Sequence, residues 1–215
     1  MNQHKHPQFM QLPAFRIATL SILIAVTTLF TYMIRIPVAP TRGYINFGDV
    51  SIFFTALIFG PLTAFITGGT GTALADILSG YSQWAPFTFL AHGLQGLCIG
   101  LVVKAGSRIS LHRAPVGSSD NGTNAPVGSS DNGTNAPASS VPGKPGVITL
   151  LLAFLGGTIV MAGIYFLTGA LMVGFAAAAT EIPGNILQNT AGVLVGTPLA
   201  LAVWKAYPPI RFYKW

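Results

Sequence analysis

The feature that most constrains this chain is the length of its uncharged segments. Between Asp49 and Asp76 no residue carries a charge, and long apolar stretches also lie near the N-terminus and in the last third of the sequence. Only 7% of the residues are charged and the mean hydropathy is +0.61, whereas a soluble domain has about 25% charged residues. A bilayer core about 30 Å thick requires about 20 apolar helical residues per crossing. The sequence therefore predicts an all-α, polytopic membrane protein.

Six membrane helices are predicted from the apolar runs and the residues that interrupt them. The run that begins at Asp49 is too long for one comfortable crossing, and "FGPL" at 59–62 interrupts it. Gly just past one helix and Pro at the start of the next is a favoured pattern. We therefore predict two helices there, with a single helix kinked at Pro61 as the alternative. The six predicted helices cover 14–36, 50–59, 61–80, 86–105, 147–175 and 183–207.

A polar, repetitive segment separates the fourth predicted helix from the fifth. The sequence APVGSSDNGTN occurs at 114–124 and again, unchanged, at 125–135. Such a composition buries too little apolar surface to offset the entropy lost on ordering, so it predicts a disordered linker. Two N-x-[ST] sequons, at Asn121 and Asn132, arise from the repeat. The predicted organisation is an N-terminal tail (1–13), helices one to four (14–106), the linker (107–146), helices five and six (147–207) and a C-terminal tail (208–215).

The distribution of basic residues predicts the orientation of the six helices. With six crossings, both termini and the linker share one side, which carries nine of the eleven Lys and Arg residues; Arg35 and Arg42 lie on the other. Basic residues are concentrated on the cytoplasmic side of membrane proteins, so both termini are predicted to be cytoplasmic. A single helix across 49–80 would destroy this bias. Topology and anionic lipid also explain the net charge of +6 better than nucleic acid does, because no basic stripe with interleaved aromatics is present.

The segment "RGYINFGD" at 42–49 concentrates polar groups in a chain that otherwise avoids them. The predicted helix after it spans only about half of the apolar thickness, at 1.5 Å per residue. The chain leading into that helix must therefore reach into membrane depth, where irregular backbone is tolerated if it is buried in protein or lines a wet cavity. A short helix interrupted by Gly and Pro points to a transport site.

Further polar residues are predicted at the same outer level as this segment. Polar side chains inside a bilayer are costly and are first considered functional, so we predict a polar pocket that opens to the outside. Within it, Arg42 is a candidate partner for a carboxylate or phosphate, and Trp84 or Tyr44 a candidate for stacking on a ring. The candidate binding residues are Arg42, Tyr44, Asn46, Asp49, Asp76, Trp84, His92, Gln95, Asn185 and Asn189.

Each of these residues also has a structural interpretation. Asp49 and Asp76 are alternatively helix caps or partners of nearby arginines, and His92 is alternatively a packing residue. The amides of the sixth helix are equally explained as interhelical hydrogen bonds, and Trp84 as an aromatic residue of the membrane interface. Their agreement in depth and side favours the pocket.

A series of short motifs follows the first helix in a definite order. These are "RGYINFGD", a short helix, "FGPL", a small-residue helix that ends in "ALADILSGY", and then "WAPFTF". This order resembles the substrate-binding S components of energy-coupling factor (ECF) transporters, and most of all their riboflavin- or hydroxymethylpyrimidine-type branch. The similarity covers 14–105 well and the last two helices more loosely. The tandem repeat departs from the family pattern and looks like an insertion in a cytoplasmic loop.

The resemblance implies a six-helix subunit of the bacterial cytoplasmic membrane that captures a vitamin or vitamin precursor and performs no chemistry on it. The loop between helices one and two would close over the ligand. A transmembrane coupling protein and two ATPases would supply the energy, and Ala14 and Ala18 match the small-residue motif that docks the coupling protein. We predict no cofactor and no metal, and the identity of the vitamin stays open.

Two other classes of function remain open from the residues alone. A standalone channel or secondary carrier would favour polar residues in both halves of the bundle, and here they lie mainly in one. An intramembrane enzyme would need a paired nucleophile and base, and His92 has no evident Ser or Cys partner in the sequence. The chain contains no P-loop, H-E-x-x-H or G-x-S-x-G motif. Its lone Cys98 excludes an intrachain disulfide, and His4 and His6 are a weak metal-binding candidate.

Overall fold

The computed structural model describes residues 12–112 and 144–212, which form a helical bundle with one two-stranded hairpin. The strands β1 (Arg35–Val38) and β2 (Gly43–Asn46) pair antiparallel. The helices are α1 (Pro13–Met33), α2 (Gly48–Phe59), α3 (Pro61–Leu78), α4 (Ala85–His112), α5 (Val147–Val173), α6 (Phe175–Ala179), α7 (Ile182–Ala191) and α8 (Thr197–Ala206). The tandem repeat, both sequons, His4 and His6 lie outside the described residues.

The break predicted at the "FGPL" motif is confirmed. Gly60 separates α2 from α3 with φ of +86°, a conformation that glycine adopts readily. Pro61 begins α3, where its missing N–H leaves no hydrogen bond unmade. A Cβ built at Gly48 would lie 3.4 Å from the Thr72 side chain, and Ile52 packs against Gly68, so the two helices run antiparallel. The alternative of one long kinked helix is therefore wrong.

Glycines allow α3 and α4 to pack with their backbones very close together. A Cβ at Gly96 would lie 2.8 Å from the carbonyl oxygen of Ala64, and a Cβ at Gly69 would lie 2.8 Å from that of Phe89. Small residues permit this close approach between membrane helices. The tight pairing fixes the C-terminal end of α3 against the N-terminal end of α4, where the cavity described below is formed.

Within the described ranges, four helical segments are long and apolar enough to cross a membrane by length and composition. They are Pro13–Met33, Ala85–Ser107, Val147–Val173 and Phe175–Ala206. Large apolar side chains cover the outside of these segments, for example Ile148, Leu152 and Ile159 on α5, which are all exposed. A surface of this kind suits lipid rather than water, so the chain is a multi-pass, all-α membrane protein. Helices also lie at each of the six positions predicted from the sequence.

The connection between α1 and α2 is more regular than the sequence pattern predicts. The first helix was predicted to reach position 36, but α1 ends at Met33 and the hairpin follows, with Ile36 opposite Ile45 and Pro37 opposite Tyr44. Short apolar runs are ambiguous between helix and strand, and β-branched residues favour the strand. The 42–49 segment is thus the second strand followed by the first turn of α2, and not irregular backbone.

The region from Gly174 to the end of the last predicted helix is divided into several short elements. Gly174, with φ of +93°, ends α5, and the short α6 lies between α5 and α7. A π-helical turn, Gly192–Gly196, then joins α7 to α8. Its two terminal glycines pack against α2, where a Cβ at Gly192 would lie 2.9 Å from Asp49 Cβ. The turn therefore lies where α2 approaches this helix closely.

Apolar side chains close the bundle at the end opposite the hairpin. The cluster there joins the C-terminal end of α2 to α8 and contains Leu57, Ile58, Ala200 and Trp204, all buried. We call it the apolar end cluster. Along α4, Thr88 near the hairpin and Val103 against this cluster are about 22 Å apart at 1.5 Å per residue. The two ends of the bundle are therefore well separated.

Candidate functional site

A cavity lies at the end of the bundle where the hairpin packs. It contains about 370 Å³ of space free of protein atoms, part of it open to solvent. Strand β2, the ends of α3 and α4, helix α5 and the start of α7 all contribute side chains. The lining residues are Gly43, Tyr44, Asn46, Asp76, Trp84, Thr88, Tyr165, Glu181, Asn185 and Gln188.

Hydrogen bonds attach the hairpin to the helices around the cavity. The backbone N–H of Asn46 donates to Oε1 of Gln188 in α7, and the Tyr44 hydroxyl donates to Asp76 Oδ1 in α3 over 2.5 Å. Burial, followed by the effect of the Asp76 carboxyl group, raises the pKa of the Tyr44 phenol. Tyr44 therefore stays protonated at neutral pH and remains a donor, so β2 is held on two sides of the cavity.

Two polar atoms in the lining are buried without a hydrogen-bond partner among the described residues. They are Asp76 Oδ2 and Asn185 Nδ2, on side chains that are 3% and 6% exposed, respectively. Leaving a buried polar group without a partner costs about 1–3 kcal/mol. Asp76 offers an acceptor and Asn185 offers a donor, so a ligand with complementary groups would satisfy both.

Aromatic rings supply the apolar part of the lining. The ring centroids of Trp84 and Tyr165 are 6.4 Å apart with planes tilted by 57°, and the Tyr165 hydroxyl donates to Thr88 Oγ1 over 3.0 Å. A concave site with aromatic walls and a few directed polar groups is typical of small-molecule binding. Within 12–112 and 144–212, no group of three or more His, Cys, Asp or Glu residues is placed to hold a metal.

A second polar cluster lies one helical turn deeper in the bundle and does not line the cavity. His92 Nδ1 lies 2.8 Å from Gln95 Oε1 and 3.1 Å from Asp49 Oδ1. Gln95 Nε2 donates to Asn189 Oδ1 over 3.1 Å, and Asn189 Nδ2 donates to the Thr158 hydroxyl. We call this set the buried network; it joins α2, α4, α5 and α7. Asp49 lies in the first turn of α2, where the helix dipole stabilises its negative charge.

The structure divides the ten sequence-predicted residues into three groups. Those that line the cavity are Tyr44, Asn46, Asp76, Trp84 and Asn185. Those in the buried network, each fully buried, are Asp49, His92, Gln95 and Asn189. Arg42 belongs to neither group: it is exposed in the hairpin turn, with φ of +53°. The proposed pairing of Arg42 with an anionic ligand therefore has no counterpart in the cavity lining.

Five lining residues were not among the candidates from the sequence. Gln188 follows Asn185 by three residues and so shares its helix face, which was an available signal. Glu181 precedes that helix, and Tyr165 is the one tyrosine in an uncharged run that otherwise carries only threonine hydroxyls. Thr88 and Gly43 carried no distinguishing signal, because threonines and glycines recur throughout the chain.

The predicted docking residues lie far from the cavity. Ala14 and Ala18 are both exposed near the start of α1, whereas the cavity lies near the hairpin that follows the end of α1. A surface of small side chains allows another membrane helix to approach closely. The spacing and exposure agree with a docking role, which remains a prediction.

Comparison with known proteins places this arrangement in a family. Residues 13–113, which include α1 to α4, match the family model described as ECF-type riboflavin transporter, S component. The chain is 30% identical over 183 residues to an uncharacterized protein from Pyrococcus woesei, covering 85% of this chain and 97% of that protein. It is 26% identical over 186 residues to the thiamine precursor transporter HmpT of Lactococcus lactis subsp. cremoris (strain MG1363), covering 86% of this chain and 82% of HmpT. Together with the motif order and the helical fold, these similarities show that the chain belongs to the S component family of ECF-type riboflavin transporters.

Proposed function

We propose that this chain captures a small, water-soluble vitamin or vitamin precursor in the cavity beside the hairpin and presents it, chemically unchanged, for import. The observation that carries the proposal is the cavity lining, which combines aromatic walls with the unpartnered polar atoms of Asp76 and Asn185. Side chains from the hairpin and from four helices converge there, so a bound ligand would also stabilise the closed hairpin.

The size of the cavity favours a ligand with one ring. Small-molecule sites enclose about 300–1,000 Å³, whereas the enclosed space between the lining side chains here is only about 30 Å³, so a small ligand requires the least displacement of those side chains. A hydroxymethylpyrimidine fits such a space more readily than the three fused rings and ribityl chain of riboflavin. The relative HmpT, whose name describes a thiamine precursor transporter, supports the smaller ligand.

The proposed topology has six membrane crossings, with both termini and the 107–146 linker in the cytoplasm of a bacterial cell. Nine of the eleven Lys and Arg residues then lie on the cytoplasmic side, and the cavity faces outward. The antiparallel α2–α3 and α3–α4 pairs are compatible with α2 and α3 as separate crossings. Membrane helices would occupy 14–106 and 147–207, with tails at 1–13 and 208–215.

Energy for import would come from partners, namely a transmembrane coupling subunit and two ATPase subunits. The sequence contains no P-loop for ATP hydrolysis, and the family implies membrane-embedded ECF partners. The exposed Ala14 and Ala18 on α1 are the proposed contact with the coupling subunit. They lie at the cytoplasmic end in the proposed topology, so docking leaves the cavity free.

The alternative of a standalone channel or carrier receives less support. Such a protein needs a polar route to both ends of the bundle, whereas the apolar end cluster of Leu57, Ile58, Ala200 and Trp204 closes the end opposite the cavity. A capture subunit needs only one opening.

The proposal is tested by purifying the full chain from cells grown in rich medium and identifying small molecules released on denaturation by mass spectrometry. We expect one vitamin or precursor at close to one molecule per chain, and co-purification of an ATPase-bearing complex with the wild type. Ala18→Leu should weaken recovery of that complex and leave the ligand bound. A preparation with neither ligand nor ATPase complex, and with no binding of added hydroxymethylpyrimidine or riboflavin, would overturn the proposal.

A further inference from the structure

The cavity is acidic although the chain as a whole is basic. The sequence has a net charge of +6 and only five acidic residues, yet two of the five, Asp76 and Glu181, line the cavity. Among the described residues, no Lys, Arg or His belongs to the lining. The carboxyl groups are therefore a local feature of this site and not a consequence of overall composition.

Neither Arg35 nor Arg42, the two arginines of the hairpin, belongs to the cavity lining, so neither pairs with the carboxyl groups inside the cavity. Arg42 is exposed in the turn. The Arg35 guanidinium lies 4.5 Å from the centroid of the Tyr32 ring and 5.9 Å from that of the Tyr44 ring. Tyr44 itself lines the cavity, whereas Arg35 does not, so a ligand would meet the Tyr44 side chain and Asp76 first.

One oxygen of Asp76 remains available to a ligand. Oδ1 accepts a hydrogen bond from the Tyr44 hydroxyl over 2.5 Å, while the buried Oδ2 makes no hydrogen bond of good geometry among the described residues, although the Thr88 hydroxyl also interacts with this carboxyl group. A carboxylate oxygen accepts hydrogen bonds and repels other anions. Glu181 approaches the hairpin from the other side of the cavity, since a Cβ built at Gly43 would lie 2.6 Å from Glu181 Oε1.

The remaining groups suit the same kind of ligand. Asn185 presents a buried Nδ2 donor, which pairs with a ring nitrogen or carbonyl oxygen of the ligand. The rings of Trp84 and Tyr165, which both line the cavity, attract positive charge through their quadrupoles. A flat heterocycle with both a donor and an acceptor edge satisfies all of these groups at once.

We infer that the ligand presents an amino or ring N–H group, neutral or protonated, to Asp76, and that the site rejects the phosphorylated or carboxylated forms of the same compound. The inference rests on the proposed function and adds the charge class of the substrate to it. Like charges brought together in a binding site cost several kcal/mol, so adding a phosphate should weaken binding on the order of 100-fold. Asp76 and Glu181 are then the specificity-determining residues.

The test uses the full-length chain in detergent and two matched pairs of probes. One pair is 4-amino-5-hydroxymethyl-2-methylpyrimidine and its phosphate ester; the other is riboflavin and riboflavin 5′-phosphate. Isothermal titration calorimetry gives the ratio of the two affinities within each pair. For whichever alcohol binds, we expect its phosphate ester to bind on the order of 100-fold more weakly.

Variants then show whether the carboxyl groups cause the discrimination. Asp76→Asn should weaken binding of the alcohol and reduce the alcohol-to-phosphate ratio by about tenfold, because the phosphate no longer meets a negative charge. Glu181→Gln, at a half-buried position, tests the same point if Asp76→Asn fails to fold. Asp120→Asn, in the repeat outside the described residues, makes the same change in net charge and should leave the ratio unaltered.

Three results would overturn the inference. The first is a phosphate ester that binds the wild type as tightly as its alcohol. The second is a ratio unchanged in both folded carboxyl variants, and the third is a co-purified ligand that carries a phosphate or carboxylate. In each of these cases the protein still binds a small molecule, so the proposed function stands. If no probe binds and no ligand co-purifies, the proposed function fails and the inference fails with it.

Discussion

The two ends of the helix bundle differ in the kinds of side chain that they bring together. At the hairpin end, Asp76 and Asn185 each bury a polar atom without a partner among the described residues, beside Trp84. At the opposite end, Trp204 packs with Leu57 and other apolar residues in the apolar end cluster. One end is therefore built to receive a ligand, and the other to hold the helices together.

This difference between the two ends also distinguishes a substrate-capture subunit from a channel. Between the two ends lies the buried network, in which Gln95 and Asn189 are hydrogen-bonded to one another and fully buried. Below it, the core consists of apolar residues such as Ile52, Phe53 and Ile99. Buried polar atoms without a hydrogen-bond partner among the described residues occur in this network too, at Asp49 Oδ2 and His92 Nε2. Beyond it, the apolar end cluster closes the bundle, as expected for a site with one opening.

The largest expected effect is on stability at the apolar end. Trp204→Ala removes a buried ring from the apolar end cluster and should lower the free energy of unfolding by about 3–5 kcal/mol. Thermal unfolding in detergent measures the loss, and calorimetry on the folded fraction should show ligand affinity within about twofold of wild type. The matched variant Trp84→Ala removes an equally buried ring from the cavity lining and should weaken ligand binding as well as lower stability. Loss of affinity in Trp204→Ala equal to that in Trp84→Ala would erase the distinction between the ends.

The next effect is on affinity at the hairpin end. Asp76→Ala removes both the acceptor for the Tyr44 hydroxyl and the unpartnered Oδ2. The affinity for the ligand identified by mass spectrometry should fall about 100-fold, since hydrogen bonds to charged groups contribute about 1.5–3 kcal/mol each. Titration calorimetry measures the change, with the far-ultraviolet circular dichroism spectrum as the control for folding. A folded variant with wild-type affinity would remove Asp76 from the site.

A smaller effect is expected from the attachment of the hairpin. Tyr44→Phe keeps the ring but removes the hydroxyl that donates to Asp76. We expect affinity to fall about tenfold, because one charge-assisted hydrogen bond that holds β2 against α3 is lost. The loss should appear mainly in a faster dissociation rate, measured by stopped-flow fluorescence. An unchanged dissociation rate would show that this bond does not help to retain the ligand.

The smallest effect is expected at Arg42. Its side chain is exposed and lies outside the cavity lining, so Arg42→Ala should change affinity by less than about threefold, as is usual for exposed surface substitutions. The same calorimetric titration measures it. A loss greater than tenfold would restore the ligand-binding role predicted for Arg42 from the sequence, and would require the hairpin turn to fold inward when ligand binds.

The helix positions were predictable because each depends on a strong local signal. Gly60 and Pro61 mark a break that cannot be accommodated inside a regular helix, and the long uncharged runs exceed any soluble pattern. The hairpin was not predictable in the same way. Ile34, Ile36 and Val38 form too short a run for periodicity to distinguish strand from helix, and the pairing with β2 is a contact between separate segments.

The end of the bundle that holds the site was predictable from the sequence, but the exact set of lining residues was not. Counting helix lengths brought Asp76, Trp84 and Asn185 to one end of the bundle, and all three line the cavity. The same counting placed His92 and Gln95 only one turn away from it, and a single turn decides between lining a cavity and joining the buried network. Arg42 was grouped with the polar residues that follow it in the sequence. In the structure its backbone is left-handed in the hairpin turn, and its side chain is exposed at the surface.

The difference between the two ends is tested most directly with tryptophan fluorescence. The chain has three tryptophans, at 84, 204 and 215, so two double variants each retain one reporter: Trp204→Phe with Trp215→Phe, and Trp84→Phe with Trp215→Phe. Titration with the identified ligand should change the emission of Trp84 and leave that of Trp204 unaltered. A saturable change at Trp204 with none at Trp84 would contradict capture at the hairpin end.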